Sequence, residues 1–186
     1  MHGVQAKGRT PLILRVQPIV RRVLTIAWLV WALDVLSKTL ALRLLEDHSP
    51  VKLLGNLLRL NFTRNSGAAF SFISNGSILL AAFSLCAILV IAYWTPRITS
   101  KKWAYVFGLV LGGTLGNLSD RIFRSQDGFL KGQVIDWIEL PAWPIFNVAD
   151  SAIVVAAVLA VVLSFRNVLP ISPPRQEDEG KGSPDA

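Results

Sequence analysis

Four apolar runs decide what this chain can become. They cover about residues 23–45, 78–94, 103–118 and 148–165, and a bilayer crossing takes roughly 20 mostly apolar residues. Inside hydrocarbon the backbone must satisfy its own hydrogen bonds, so such runs predict helices. Of the 186 residues, 52% are hydrophobic and 17% charged, too little polar surface for a soluble domain of this length. The first run does not read as a cleaved signal. Its basic leader is long, no small-residue cleavage site follows it, and three further runs come after.

The expected fold is an all-α integral membrane protein with four transmembrane helices and a small β-element outside the membrane. Residues 1–22 form a basic leader, 23–165 the membrane domain, and 166–186 a polar tail rich in Pro and Gly that is expected to be disordered. The net charge is +7, but the cations lie between apolar runs, where they orient a protein in a bilayer instead of gripping nucleic acid. Lys7, Arg9, Arg15, Arg21 and Arg22 precede the first run, and Arg97, Lys101 and Lys102 follow the second. Both termini are therefore expected in the cytoplasm, and connections 46–77 and 119–147 outside.

Those connections carry strand patterning. In "LRLNFTRNSGAAFSF" Leu58, Leu60 and Phe62 alternate with Arg59, Asn61 and Thr63, the period of a half-buried strand. "NSG" then predicts a turn with Gly67 at positive φ. "GQVIDWIEL" is short, β-branched and aromatic, a second candidate strand. Together they suggest a small sheet resting on the outer membrane surface.

Polar residues converge at that end. Asp34 lies roughly 17 Å along the first helix, past the midplane. Asn117 and Asp120 close the third run, Asp150 opens the fourth, and Asp136 sits just before it. Asp34 and Lys38 are spaced i,i+4, acid first, as a helical ion pair prefers. Asp120 could pair with Arg121 or cap a neighbouring backbone. Gly112, Gly113 and Gly116 allow helices to approach closely. Asp136 and Asp150 have no local cation, and a low dielectric raises the pKa of such acids. Were the two to meet, they would share a proton and act as acid and base, the equipment of an aspartic hydrolase. Asp150 as a plain helix N-cap is the competing role.

Other chemistries find no support. Cys86 is single and reads as a packed membrane cysteine. His2 and His48 are too few and too separate for a metal site. Ser37 and Lys38 are adjacent, so on a helix they point about 100° apart. No phosphate-cradling glycine loop follows a strand. No metal or cofactor is expected.

The blocks "DVLSK" (34–38), "RNSGAAF" (64–70), "GGTLGNLSDRI" (112–122), "VID" (134–136) and "FNVADSAI" (146–153) stand in one order along the chain. In that order they resemble the lipoprotein signal peptidase (signal peptidase II) family, over about residues 23–165. The resemblance implies a bacterial inner-membrane aspartic peptidase with its site near the periplasmic face. It would act on diacylglyceryl-modified prolipoproteins, cleaving before the lipid-bearing cysteine. It implies Asp136 and Asp150 as the catalytic pair, with Asp120 in place of Asp136 as the alternative. Asp34, Lys38, Asn65, Gly67, Asn117, Asp120, Arg121 and Asn147 match further positions that bind substrate or shape the site. Asn65 or Arg121 would orient the substrate, and Gly67, Ala68 and Ala69 would let its backbone pass close. The leader is longer than the family needs, and the stretch between Asp136 and Asp150 is short. Expected partners are prolipoproteins and membrane lipid, with no nucleic acid, and the expected state is a monomer. The rival reading is a non-enzymatic four-helix carrier or assembly factor whose acids relay protons.

Overall fold

The computed structural model describes residues 17–67, 76–125 and 128–171. Most of the leader, Ala68, Ala69 and the tail beyond residue 171 lie outside the described residues. The elements are α1 (Pro18–Leu44), β1 (Val51–Lys52), β2 (Arg59–Asn65), α2 (Gly76–Trp94), α3 (Lys101–Phe123), β3 (Val134–Glu139) and α4 (Val148–Phe165).

Two segments, Gly76–Arg97 and Val148–Phe165, are long and apolar enough to cross a membrane by length and composition. Helices α1 and α3 are as long, but they carry Asp34 and Lys38, and Asp120 and Arg121, in their C-terminal halves. The third apolar run was expected to stop at 118. The helix continues to Phe123, because "SDRIF" keeps helical spacing and its charges find partners.

The packing is turned inside out relative to a soluble bundle. Buried positions are mostly small: Ala27 and Ala41 on α1, Ala104, Gly108, Gly112, Gly113 and Gly116 on α3, and Ala149, Ala152 and Ala156 on α4. Large side chains such as Leu33, Leu36, Leu85, Leu89 and Val158 face outward. Lipid is as apolar as leucine, so membrane helices associate through close backbone contact, which small residues permit. Helix α3 is the axis, packing against α1, α4 and α2. A Cβ added at Gly112 would fall 2.7 Å from the Ala27 carbonyl oxygen, and one at Gly113 would fall 2.5 Å from that of Ala149. Cys86 is exposed on α2, not packed inside as expected.

Both expected strands form. They join a three-stranded antiparallel sheet of order β1-β2-β3, with Val51 opposite Leu60, Thr63 opposite Asp136 and Asn65 opposite Val134. The register shifts between Leu60 and Thr63, where one extra residue in β2 bends the strand. Strand β1 was not foreseen, since two residues carry no period to read. Ile135 packs with Ala41 of α1 and with Leu45 just beyond its end, so the sheet stands on the same end of the helices as Asp34, Asn117 and Asp120.

Gly113→Ala is expected to cost about 1–3 kcal/mol, since the Ala149 carbonyl is backbone and cannot swing aside. Thermal unfolding in detergent measures it. Gly55→Ala, where the space is open and only a φ of +56° opposes a side chain, should cost less.

Candidate active site

The site begins with a fully buried cation. The Lys38 ammonium lies 2.7 Å from Asp34 Oδ2 and 3.0 Å from Asp120 Oδ2, and it donates to Asn117 Oδ1 at 2.9 Å. Its three donors are thereby used. Asp34 Oδ1 accepts from the Ala149 amide at 2.8 Å, placing a carboxylate at the positive end of α4. Asp120 Oδ2 also accepts from the Ile135 amide at 3.2 Å, which ties β3 to α3.

Asp120 does not pair with Arg121. Its second oxygen accepts from Arg124 Nε at 2.6 Å. Adjacent helix residues diverge by about 100°, whereas i,i+4 residues face each other. That spacing was present in the sequence. Arg121 turns the other way and donates to the Asn117 carbonyl at 3.0 Å, and its buried Nε has no hydrogen-bond partner. The Arg121 charge interacts with those of Asp120, Asp150 and Asp136, in falling order of strength.

Asp150 is not the N-cap of α4. Asn147 is. Its Oδ1 accepts from the Asp150 amide at 2.9 Å, while Asp150 Oδ2 accepts from the Asn147 amide at 3.2 Å. This reciprocal capping box follows the pattern of a cap residue and an acceptor three positions on. The other Asp150 oxygen accepts from Asn117 Nδ2 at 2.8 Å. Lys38 can only donate, so its bond to Asn117 Oδ1 fixes that amide with its nitrogen toward Asp150.

Asp136 arrives on β3 and is 1% exposed. Its Oδ1 accepts from Asn147 Nδ2 at 2.6 Å, and its Oδ2 from Asn65 Nδ2 at 2.9 Å. Asn65 is itself held by a turn in which its Oδ1 accepts from the Gly67 amide at 2.8 Å, with Gly67 at φ +91°. Burial is the main influence on Asp136 and lifts its pKa from 3.8 to about 6. The Asp150 charge adds to the rise, and hydrogen bonds from Asn65 and Asn147 and the Lys38 charge oppose it. Asn147 thus holds both acids, Asp136 by its side chain and Asp150 by its backbone.

All ten residues singled out in the sequence are described, and hydrogen bonds, charge interactions and packing link them at one end of the bundle. The sequence reading missed the part played by Arg124. Ser37 donates to the Asp34 carbonyl and His48 sits exposed against the Glu46 carbonyl, so neither enters the site. Among the described residues no group of three His, Cys, Asp or Glu is placed to hold a metal ion.

The fold is shared with solved structures of other proteins. Two solved structures described as bacterial membrane enzymes, at 2.3 and 1.9 Å, superpose with TM-scores of 0.68 and 0.69. They share 20% and 22% sequence identity, cover 84% and 78% of this chain, and are themselves covered to 92% and 93%. Sequence gives the family. Signal peptidase (SPase) II matches residues 26–166. A lipoprotein signal peptidase of Streptomyces coelicolor is 43% identical over 78% of this chain and 71% of its own length. Those of Mycolicibacterium smegmatis and Mycobacterium avium are 43% and 41% identical, each over 77% of this chain and over 61% and 79% of their own lengths. The chain belongs to the signal peptidase II family.

Asp136 should keep its proton up to about pH 6 and lose it above. An infrared titration should show a protonated carboxyl that disappears around that midpoint and is missing in Asp136→Asn. Asn65→Ala, which removes a donor to the ionised form, should move the midpoint upward. Between 3.8 and about 6 the folded protein holds a proton that the unfolded chain releases. This group's contribution to stability is therefore present below 3.8 and lost as pH rises through about 6.

Proposed function

We propose that Asp136 and Asp150 are the catalytic pair of a membrane aspartic endopeptidase. It removes the signal peptide from diacylglyceryl-modified prolipoproteins by cutting before the lipid-bearing cysteine. The observation that carries this reading is the grip of Asn147 on both acids at once. A shared asparagine keeps two carboxyl groups together against their repulsion. The ionised member takes a proton from water as the water oxygen attacks the scissile carbonyl carbon, and the protonated member gives its proton to the carbonyl oxygen. When the tetrahedral intermediate collapses, the first passes its newly gained proton to the leaving amine and the second recovers one from the diol hydroxyl. Asp150, half-buried, faces the approach to the site, whereas Asp136 lies beneath. Arg121, with a free buried Nε, and Asn65, beside Gly67, are placed to orient the peptide.

Asp34, Lys38, Asn117, Asp120 and Asn147 shape the site in this reading, and Asp120 is occupied by Lys38 and Arg124. All four helices span the bilayer, α1 and α3 tolerating their charges because these are paired inside the bundle. The basic ends cluster together. Arg22 stacks on Tyr105, and Trp103 Nε1 donates to the Val168 carbonyl at 2.6 Å. That end faces the cytoplasm with both termini, and the acids face the periplasm. The leader, the 23–165 domain and the tail keep the limits given above. The enzyme works as a monomer on substrates that diffuse in the membrane lipid and needs no cofactor. A proton-relaying carrier is the weaker reading, because family membership does not favour it.

Asp136→Asn and Asp150→Asn should each slow cleavage of a lipid-modified precursor by about 10²–10⁴-fold with the unfolding temperature kept. Gel mobility of the shortened product gives the rate. Full activity in Asp136→Asn would transfer the role to Asp120. Asp120→Asn should instead lower the unfolding temperature, since it leaves Lys38 and Arg124 short of a counter-charge.

A further inference from the structure

The tip of the β1–β2 hairpin has an anomalous surface. Val51, Leu53, Leu54 and Leu57 are 44%, 53%, 64% and 70% exposed, four large apolar side chains within seven residues. The tip is nonetheless built. The Leu53 and Leu54 amides both donate to the Leu58 carbonyl, at 3.0 and 3.3 Å, and the Leu57 amide donates to the Leu54 carbonyl at 2.9 Å. Gly55 turns the chain at φ +56°. These three bonds leave fewer open backbone groups at the tip than an irregular loop would carry, which lowers the cost of meeting hydrocarbon.

The apolar surface is continuous with the outer face of the helices. Leu40 and Leu44, exposed on α1, line a cleft of about 210 Å³ with Leu60 of β2 and Trp137 of β3. Val51 is the cross-strand partner of Leu60, so it shares that face of the sheet. Leu53 follows directly on β1 and is also exposed, so the apolar surface goes on into the turn. A band of leucine thus runs from α1 across the cleft to the hairpin tip.

We propose that this tip inserts into the acyl region of the outer leaflet and fixes the height of the acid pair above the bilayer. This rests on the peptidase reading and the orientation given with it. Asp136 on β3 and Asn65 on β2 belong to the same sheet as the tip, so seating the hairpin seats them. A substrate anchored by its own lipid presents its scissile bond at one depth, and the sheet is held to that depth by the same medium. The occupant is bilayer lipid. A second copy of the chain is the competing one.

The test uses the full chain in vesicles of phosphatidylcholine and phosphatidylglycerol. A bimane label is placed at Leu54→Cys in a Cys86→Ser background, since Cys86 is exposed and would also react. Labels at Leu85→Cys, outward on α2, and Lys101→Cys, exposed at the basic end, serve as hydrocarbon and water references. With iodide on both sides, quenching at position 54 should be at least about fivefold weaker than at 101, and a nitroxide lipid should quench it within about twofold of position 85. Iodide quenching equal to that at 101 overturns the inference. So does shielding from both quenchers, which would mean that protein covers the tip. The variant Leu53→Ser, Leu54→Ser, Leu57→Ser should raise KM for a vesicle-embedded precursor about tenfold with kcat within about threefold, and leave KM in detergent micelles unchanged. A KM unchanged in vesicles overturns the depth-setting role. A label in water on an active enzyme defeats this inference alone. A label in lipid on a protein that cleaves no precursor defeats the peptidase reading and the depth-setting role with it, leaving only the insertion.

Discussion

A single ammonium group, that of Lys38, organises the polar end of the bundle. It is completely buried, and it is shared between two carboxylates and one amide from two helices. An unpaired charge at that depth would cost several kcal/mol, so the partners have little freedom to leave. Through Asp34 the cation reaches the first turn of α4, and through Asp120 it reaches the backbone of β3. Through Asn117 it reaches Asp150. The helices meet by small residues, a non-directional contact that permits sliding. Lys38 supplies the direction.

The acid pair is held more tightly than its charge would suggest. Burial makes Asp136 hold a proton to about pH 6, and the Asp150 charge adds to that rise. Amide nitrogens from Asn65, Asn117 and Asn147 then supply donors without adding charge. Neutral donors favour the ionised form only mildly. A site lined by arginine would fix both acids as carboxylates, whereas one lined by leucine would keep both protonated.

The helices were legible because hydrocarbon demands length, and length is plain in a sequence. The strand at 59–65 showed through alternation, that at 134–139 through its β-branched and aromatic composition, and the pairing of Asp34 with Lys38 through i,i+4 spacing. The hairpin partner β1 and the extra residue between Leu60 and Thr63 were not legible, since two residues have no period and register depends on packing between distant segments. Of the two roles expected for Asp120, the tie to a neighbouring backbone is found, at Ile135, but its arginine partner is Arg124, one helical turn on, and not the adjacent Arg121. The capping box was also written in the chain as Asn147 and Asp150. The second bond made by the same asparagine, to Asp136, could be seen only once β3 had been brought beside α4.

That asparagine and Asp150 stand at the head of the last helix of the described fold. Synthesis runs from the amino end, so three helices and the whole sheet can settle in the bilayer before these two residues arrive. Until the final helix packs, Asp136 lacks Asp150 beside it and one of its two amide donors. The order of translation therefore makes this cluster of acids and amides the last part of the described fold to be completed.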